Sequence, residues 1–134
     1  MERVLGIGGV FVRARDQAAL ARWYRDHLGL EIQEAWWGAV LPLATPHDTP
    51  GSYAVWSAFP PETDYFGRRE NQCMVNFRVR DLFAMLAQLR AAGCDVDAEV
   101  QDGAYGKFGW VTDPEGHRVE LWQPPATPPP DASA

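Results

Sequence analysis

One carboxylate and three arginines of this sequence are predicted to share a face of the protein. Glu120 lies in the last predicted strand, and period-2 alternation puts Arg13, Arg78 and Arg118 on the same helix-free side as Glu120. A buried carboxyl has a raised pKa unless a cation pairs with it, and a raised pKa suits a general acid or base. Glu120 is therefore the candidate catalytic residue. The alternative is a structural salt bridge between Glu120 and one of these arginines.

Aromatic and polar side chains on the same face could surround a small molecule. The chain contains six Trp in 134 residues, which is a high content. An apolar cavity with a few convergent polar groups is the usual form of a small-molecule site. The predicted ligand-binding residues are Phe11, Arg13, Trp56, Met74, Asn76, Arg78, Trp110, Arg118 and Trp122, with Trp36 or Trp37 as a further wall. The alternative is that the Trp side chains fill a barrel core or a dimer interface.

A repeated motif organises the elements that must position these residues. Residues 10–16 (VFVRARD) and 75–81 (VNFRVRD) share the pattern V-x-x-R-x-R-D. Each copy is an alternating strand that ends in an Asp, whose carboxylate can cap the following helix. Each helix is followed by a glycine, Gly29 or Gly93, as is common at helix C-termini. The repeat predicts a tandem duplication.

Each unit is predicted to be a strand, a helix and three further strands. The further strands are predicted at residues 30–36, 38–43 and 52–59 and at about 95–100, 105–112 and 117–122. The fold class is therefore α+β, with two tandem βαβββ modules, about 4–60 and 72–123, that form a curled mixed sheet or half-barrel with a central cavity. The Gly-rich segment 101–109 is either a flexible flap or a bulged strand entry. Residues 1–123 form one domain, and the Pro-rich residues 124–134 form a disordered tail.

Composition excludes several classes of partner. The net charge is −6 and the basic residues are scattered, so nucleic acid is not an expected partner. No apolar run approaches the roughly 20 residues that span a bilayer, so we expect no membrane partner. The N-terminus lacks the features of a signal peptide. We expect a cytoplasmic protein in which Cys73 and Cys94 are buried, reduced thiols.

Three segments resemble the vicinal oxygen chelate superfamily, which holds glyoxalase I, bleomycin-resistance proteins and extradiol dioxygenases. Residues 23–30 (WYRDHLGL) are similar to the family's F/W-Y-x-x-x-L-G-L, and residues 113–121 (DPEGHRVEL) are similar to D-P-D/E-G-N-x-I/V-E-L. The third segment is the repeat at 75–93. The resemblance implies a cavity in each half-barrel, often a dimer, and in the enzymes a divalent metal.

The residues at the family's metal-ligand positions depart from its pattern. Metal-dependent members have His or Gln seven residues before each capping Asp, where this sequence has Gly9 and Met74, and strand 52–59 contains neither Glu nor His. Glu120 alone remains, and a catalytic metal needs about three protein ligands. The histidines lack ligand spacing: His27, His47 and His117. We therefore predict no metal and no other cofactor.

The leading hypothesis is a homodimeric protein that lacks the usual metal site and binds a small apolar or aromatic molecule, as in the drug-resistance branch of the family. Whether it is an enzyme stays open. The alternative is a lyase, isomerase or dioxygenase that uses Glu120 as a base or as a ligand of an unrecognised divalent-metal site. A third hypothesis is an interaction protein without a ligand.

Overall fold

Alternating segments of the sequence form strands, and two segments with helical spacing form helices. The computed structural model describes residues 1–43 and 52–126. The predicted loop at 44–51, with His47, and residues 127–134 of the predicted tail lie outside the described residues. The elements in chain order are β1 (Val4–Arg13), α1 (Gln17–Leu28), β2 (Gly38–Pro42), β3 (Tyr53–Phe59), β4 (Cys73–Val79), α2 (Leu82–Ala91), β5 (Asp95–Val96), β6 (Gln101–Gly103), β7 (Gly106–Thr112) and β8 (Arg118–Gln123).

The strands of the described residues form one curled, mixed sheet. Its order is β2-β3-β1-β4-β8-β7-β5, and β6 pairs with β7. The first strand of each unit pairs in parallel with the last, β1 with β3 and β4 with β8, while β1 and β4 pair antiparallel with Val10 opposite Val75. The two copies of the repeated motif therefore lie side by side at the centre of the sheet. The predicted α+β class, with two tandem modules in one curled, mixed sheet, is confirmed.

The repeated Asp caps both helices. The carboxylate of Asp16 accepts a hydrogen bond from the amide of Ala19 at 3.0 Å, and that of Asp81 accepts one from the amide of Ala84 at 3.1 Å. Each bond satisfies one of the amides that the first helical turn leaves free. Gly29 and Gly93 have φ of 74° and 80°, which is the left-handed conformation predicted after each helix.

The segment after α1 folds differently from the prediction. The strand predicted at residues 30–36 is reduced to a single bridge between Gln33 and Gly38, because the chain turns back at Trp37, whose φ is 53°. This turn lays the Trp36 ring over Gly38. Segment 101–109, for which a flexible flap or a bulged strand entry is predicted, contains the hairpin of β6 and β7.

The two cysteines are exposed, so the prediction that they are buried is wrong. Cys73 is the first residue of β4, and Cys94 follows the end of α2. Strand and helix ends lie at the rim of the core, where apolar character alone does not bury a small side chain.

Apolar clusters cover both faces of the sheet. On the helix side, Val79 and Leu121 pack against α2 through Leu82, Met85 and Leu86. On the concave side, a second cluster consists of Phe11, Phe66, Met74 and Trp110. Neither helix of the described chain is long and apolar enough to cross a membrane.

Arg13 holds the linker between the two modules. Its guanidinium donates hydrogen bonds to the carbonyls of Pro61, Thr63 and Asn71 at 3.0, 2.8 and 3.0 Å, and lies 5.5 Å from the ring centre of Phe66. Arg13 therefore fixes the linker against the concave side of the sheet, and its role there is structural.

Candidate functional site

The curled sheet encloses a cavity of about 300 Å³ on its concave side, hereafter the first cavity. This volume lies at the lower end of the range for small-molecule sites. The aromatic residues that line it are Phe11, Trp36, Tyr53, Tyr105, Phe108 and Trp122. The other lining residues are Gly8, Val40, Val55 and Asn76. Among these described lining residues, Asn76 is the only amide side chain, and none carries a charge.

Trp122 forms a fixed, flat wall of the first cavity. Its indole N–H donates to the carbonyl of Tyr105 at 2.7 Å. Phe108 lies parallel to the indole, with ring centres 6.0 Å apart and an interplanar angle of 8°. Tyr53 and the indole form an edge-to-face pair with ring centres 5.2 Å apart. These contacts fix the plane of the indole, so this wall of the cavity is flat and held in place.

A glycine is required where β1 passes Asn76. A Cβ at Gly8 would lie 2.1 Å from Asn76 Oδ1 and 2.9 Å from Trp122 Cε3. The pairing of β1 with β4 shifts register between Ile7 and Gly9, which brings Gly8 to the concave side. Asn76 therefore occupies the space that a side chain at position 8 would fill.

A second cavity of about 370 Å³ adjoins the first and contains the candidate catalytic residue. The two cavities share the walls formed by Phe11, Trp36, Val55 and Phe108. The polar groups of the second cavity are Gln17, Ser57, Tyr65 and Glu120. An apolar compartment thus lies beside a more polar one.

Glu120 is buried, with 1% of its surface exposed, among hydrogen-bond donors. Its Oε2 accepts from the Tyr65 hydroxyl and, at 3.0 Å, from the Trp110 indole N–H, while Oε1 accepts from Asn76 Nδ2 at 2.7 Å. Burial raises the pKa of Glu120, and the three hydrogen bonds and the charge of Arg118 oppose that rise. The carboxyl is therefore poised for proton transfer or for orienting its donors.

Tyr65 remains a hydrogen-bond donor to Glu120. Burial is the first cause that raises the pKa of Tyr65, and the neighbouring negative charge of Glu120 is the second. Both effects keep the proton on the phenol, so the Tyr65 hydroxyl is the donor in its hydrogen bond to Glu120 Oε2.

All three arginines expected near Glu120 have partners elsewhere. Arg118 forms an ion pair with Asp97 at 2.7 Å and stacks over Trp110 at 4.9 Å. Arg13 binds the linker carbonyls, and Arg78 donates to the carbonyl of Ile7. The groups that donate hydrogen bonds to the Glu120 carboxyl are a phenol, an indole and an amide. These neutral donors stand where a salt bridge to an arginine was the alternative prediction.

The structure brings some of the predicted site residues together and separates others. Phe11, Asn76 and Trp122 line the first cavity, and Phe11 and Glu120 line the second. Met74 and Trp110 lie in the apolar cluster behind these walls, each at most 2% exposed.

The expectation that Trp56 joins the concave side is wrong. Its ring packs against Tyr24 of α1 at 4.2 Å, on the helix side of the sheet. Tyr53, Val55, Ser57 and Phe59 alternate with Trp56 along β3 and line the cavities, and Ala58 also borders the second cavity.

Sequence reasoning missed Tyr65 and Phe108. Phe108 precedes Trp110 by two residues on the same strand, so alternation could have placed both on the concave side. Tyr65 lies in the linker, where no periodicity predicts which side chain turns inward.

The residues present do not fit the divalent metal that the resemblance implies. Within residues 1–43 and 52–126, no group of three or more His, Cys, Asp or Glu side chains could hold a metal ion. Met74 is buried among apolar side chains, and thioethers are poor ligands for hard divalent ions. His27 packs against Trp23, and His117 Nδ1 is 2.8 Å from Asp113 on an exposed turn.

Comparison with known proteins gives a consistent assignment of the fold. A family model for the glyoxalase/bleomycin resistance protein/dioxygenase superfamily matches residues 6–121. No curated protein matches the chain. Methylmalonyl-CoA epimerase from Mycobacterium tuberculosis is 26% identical, with 98% of this chain and 93% of that one covered and a TM-score of 0.62.

Two further solved structures share the fold at lower identity. A variant of Streptomyces coelicolor methylmalonyl-CoA epimerase, in complex with 2-nitronate-propionyl-CoA, is 21% identical, with 92% of this chain and 100% of that one covered and a TM-score of 0.67. A glyoxalase/bleomycin resistance protein/dioxygenase superfamily member from Vibrio splendidus 12B01 is 15% identical, with coverage of 92% and 99% and a TM-score of 0.56.

Proposed function

Because the chain belongs to the glyoxalase/bleomycin resistance protein/dioxygenase superfamily, whose scaffold hosts many chemistries, we propose its function from the site: it binds a small, flat, largely apolar molecule in the first cavity. The observation that carries this proposal is the aromatic lining of that cavity around a single amide side chain. This combination provides area for a ring and one polar group for orientation.

The size of the first cavity determines the affinity that we expect for a ligand. An aromatic ring system that buries about 200 Å² gains about 5 kcal/mol from desolvation. This free energy corresponds to a dissociation constant of about 0.2 mM before the cost of immobilising the ligand is subtracted and any hydrogen bond is added. Probe molecules should therefore be titrated from the micromolar into the millimolar range.

Filling the first cavity is expected to abolish binding. Val40 lines the cavity, whereas its neighbour Leu41 is 43% exposed. Val40→Trp should weaken the binding of indole and benzofuran at least tenfold, measured by isothermal titration calorimetry, because the added ring occupies the site. Leu41→Trp, the matched control, should bind like the wild type. Failure of the wild-type protein to bind either probe, or equal binding by both variants, would contradict the proposal.

A second candidate function is that of an isomerase in which Glu120 is the base. The supporting observation is that Glu120, with its raised pKa, lies in the wall of the second cavity beside Tyr65. Methylmalonyl-CoA epimerase, at 26% identity, suggests acyl-CoA esters with an acidic C–H bond as substrates to test.

Proton exchange tests this second candidate. The wild-type protein should catalyse exchange of the C2 proton of methylmalonyl-CoA in D₂O, followed by NMR. Glu120→Gln should reduce the rate about 100-fold or more, since general-base catalysis contributes about 10²–10⁴-fold. Absence of exchange with the wild type, or an equal rate with the variant, would rule out this role for Glu120.

A further inference from the structure

Building on the proposed binding function, the geometry points to a specific requirement: the ligand carries a hydrogen-bond donor, and Asn76 Oδ1 receives it. The ligand class is an uncharged planar molecule with one N–H or O–H group, such as a phenol or an N–H heteroaromatic ring.

Among the described residues, Asn76 Oδ1 is a buried acceptor without a hydrogen-bond partner. Asn76 is 1% exposed, and its Oδ1 lies against Gly8. Both Asn76 and Gly8 line the first cavity. Leaving a buried polar atom unpaired costs about 1–3 kcal/mol, and native proteins keep few such atoms. A donor that enters the cavity and pairs with Oδ1 removes this cost.

Glu120 determines which end of the Asn76 amide is the unpaired one. An ionised carboxylate has acceptors only, so it must face the NH₂ group of Asn76, and Nδ2 lies 2.7 Å from Oε1. The other oxygen of Glu120 already accepts from Tyr65 and Trp110. The hydrogen-bond network therefore leaves Oδ1 of Asn76, and not Nδ2, without a partner.

The other described walls of the first cavity carry no charged side chain. The remaining lining residues of the first cavity are aromatic or aliphatic or are Gly8, apart from the phenol hydroxyls of Tyr53 and Tyr105. A charged ligand would lose its hydration without gaining a partner of opposite charge. An uncharged ring with one donor matches both the apolar walls and the single orphaned acceptor.

Replacing Glu120 by Gln should reverse the orientation of the Asn76 amide, so that its NH₂ group and not its oxygen is left for a ligand. The new amide would keep its oxygen towards Tyr65 and Trp110 and turn its NH₂ group towards Asn76. Asn76 would then rotate to offer Oδ1 to that NH₂ group, and its own Nδ2 would face the cavity. Glu120→Gln is thus expected to convert the site from one that accepts a hydrogen bond into one that donates.

Three bicyclic probes of similar shape test the inference by isothermal titration calorimetry. Indole carries an N–H donor, benzofuran has no donor, and quinoline carries only a ring-nitrogen acceptor. The wild type should bind indole about 3- to 10-fold more tightly than benzofuran, the range given by one net hydrogen bond. Glu120→Gln should prefer quinoline to indole. Glu99→Gln, which alters an exposed carboxylate, should keep the wild-type order.

The outcomes separate this inference from the function on which it rests. Equal affinity of the wild type for indole and benzofuran would overturn the donor requirement and leave the binding function intact. An unchanged order in a folded Glu120→Gln variant would overturn the role of Glu120 in orienting Asn76. No binding of any of the three probes would overturn both the binding function and the inference.

Discussion

Glu120→Leu is expected to lower the free energy of unfolding by about 3 kcal/mol or more. The substitution removes the acceptor shared by Tyr65, Asn76 and Trp110. Each buried donor left unpaired costs about 1–3 kcal/mol. Relief of the carboxylate's own desolvation opposes this loss. We expect the three unpaired donors to outweigh that relief, because the apolar side chain satisfies none of them.

Urea unfolding at neutral pH measures the effect of Glu120→Leu, with two variants for comparison. Glu120→Gln retains an oxygen for Tyr65 and Trp110 and should cost less than about 1 kcal/mol. Glu99→Leu changes an exposed residue and should have little effect. If Glu120→Leu were as stable as the wild type, burial of the carboxylate would cost as much as its three hydrogen bonds contribute.

The sequence predicts the fold well where the chain repeats itself. The motif at 10–16 and 75–81 identifies two central strands and two capping Asp residues, because alternation and capping are local rules. The prediction fails at residues 30–36, where Trp37 adopts a positive φ that is uncommon for a bulky residue. Nothing local in the sequence indicates such a turn, since tertiary contacts must stabilise it.

The candidate site is only partly predictable from the sequence, because some of its residues lie on regular strands and others do not. Alternation brings Asn76 and Glu120 to one face, and their pairing follows from the parallel register of β4 and β8. Tyr65 enters the site from an irregular linker that Arg13 holds through backbone carbonyls. Because backbone carbonyls are present at every position, the spacing of residues does not reveal which of them an arginine binds.

Glu120 is also expected to make the stability of the protein depend on pH. Burial raises its folded-state pKa above the ordinary value of 4.5. The folded state therefore holds this proton more tightly than the unfolded state does. The resulting stabilisation is fully present below about pH 4.5 and is lost as the pH rises through the folded-state pKa. Within that window the loss amounts to about 1.4 kcal/mol per pH unit.

The difference between the wild type and Glu120→Gln isolates this effect. Asp26 and Asp113, whose pKa values are lowered by hydrogen bonds, make stability fall as the pH falls, but they are present in both proteins and cancel. Urea unfolding from pH 4 to pH 9 should show the wild type losing stability relative to the variant as the pH rises. Parallel curves would contradict a raised pKa of Glu120.

The pH at which the two curves become parallel also distinguishes the two candidate functions. A general base works best with a pKa near the operating pH, so a plateau that begins near pH 7 would favour the isomerase. A plateau that begins well below pH 7 would leave Glu120 ionised at neutral pH. In that state the carboxylate serves as the fixed acceptor that orients Asn76 towards a ligand in the first cavity.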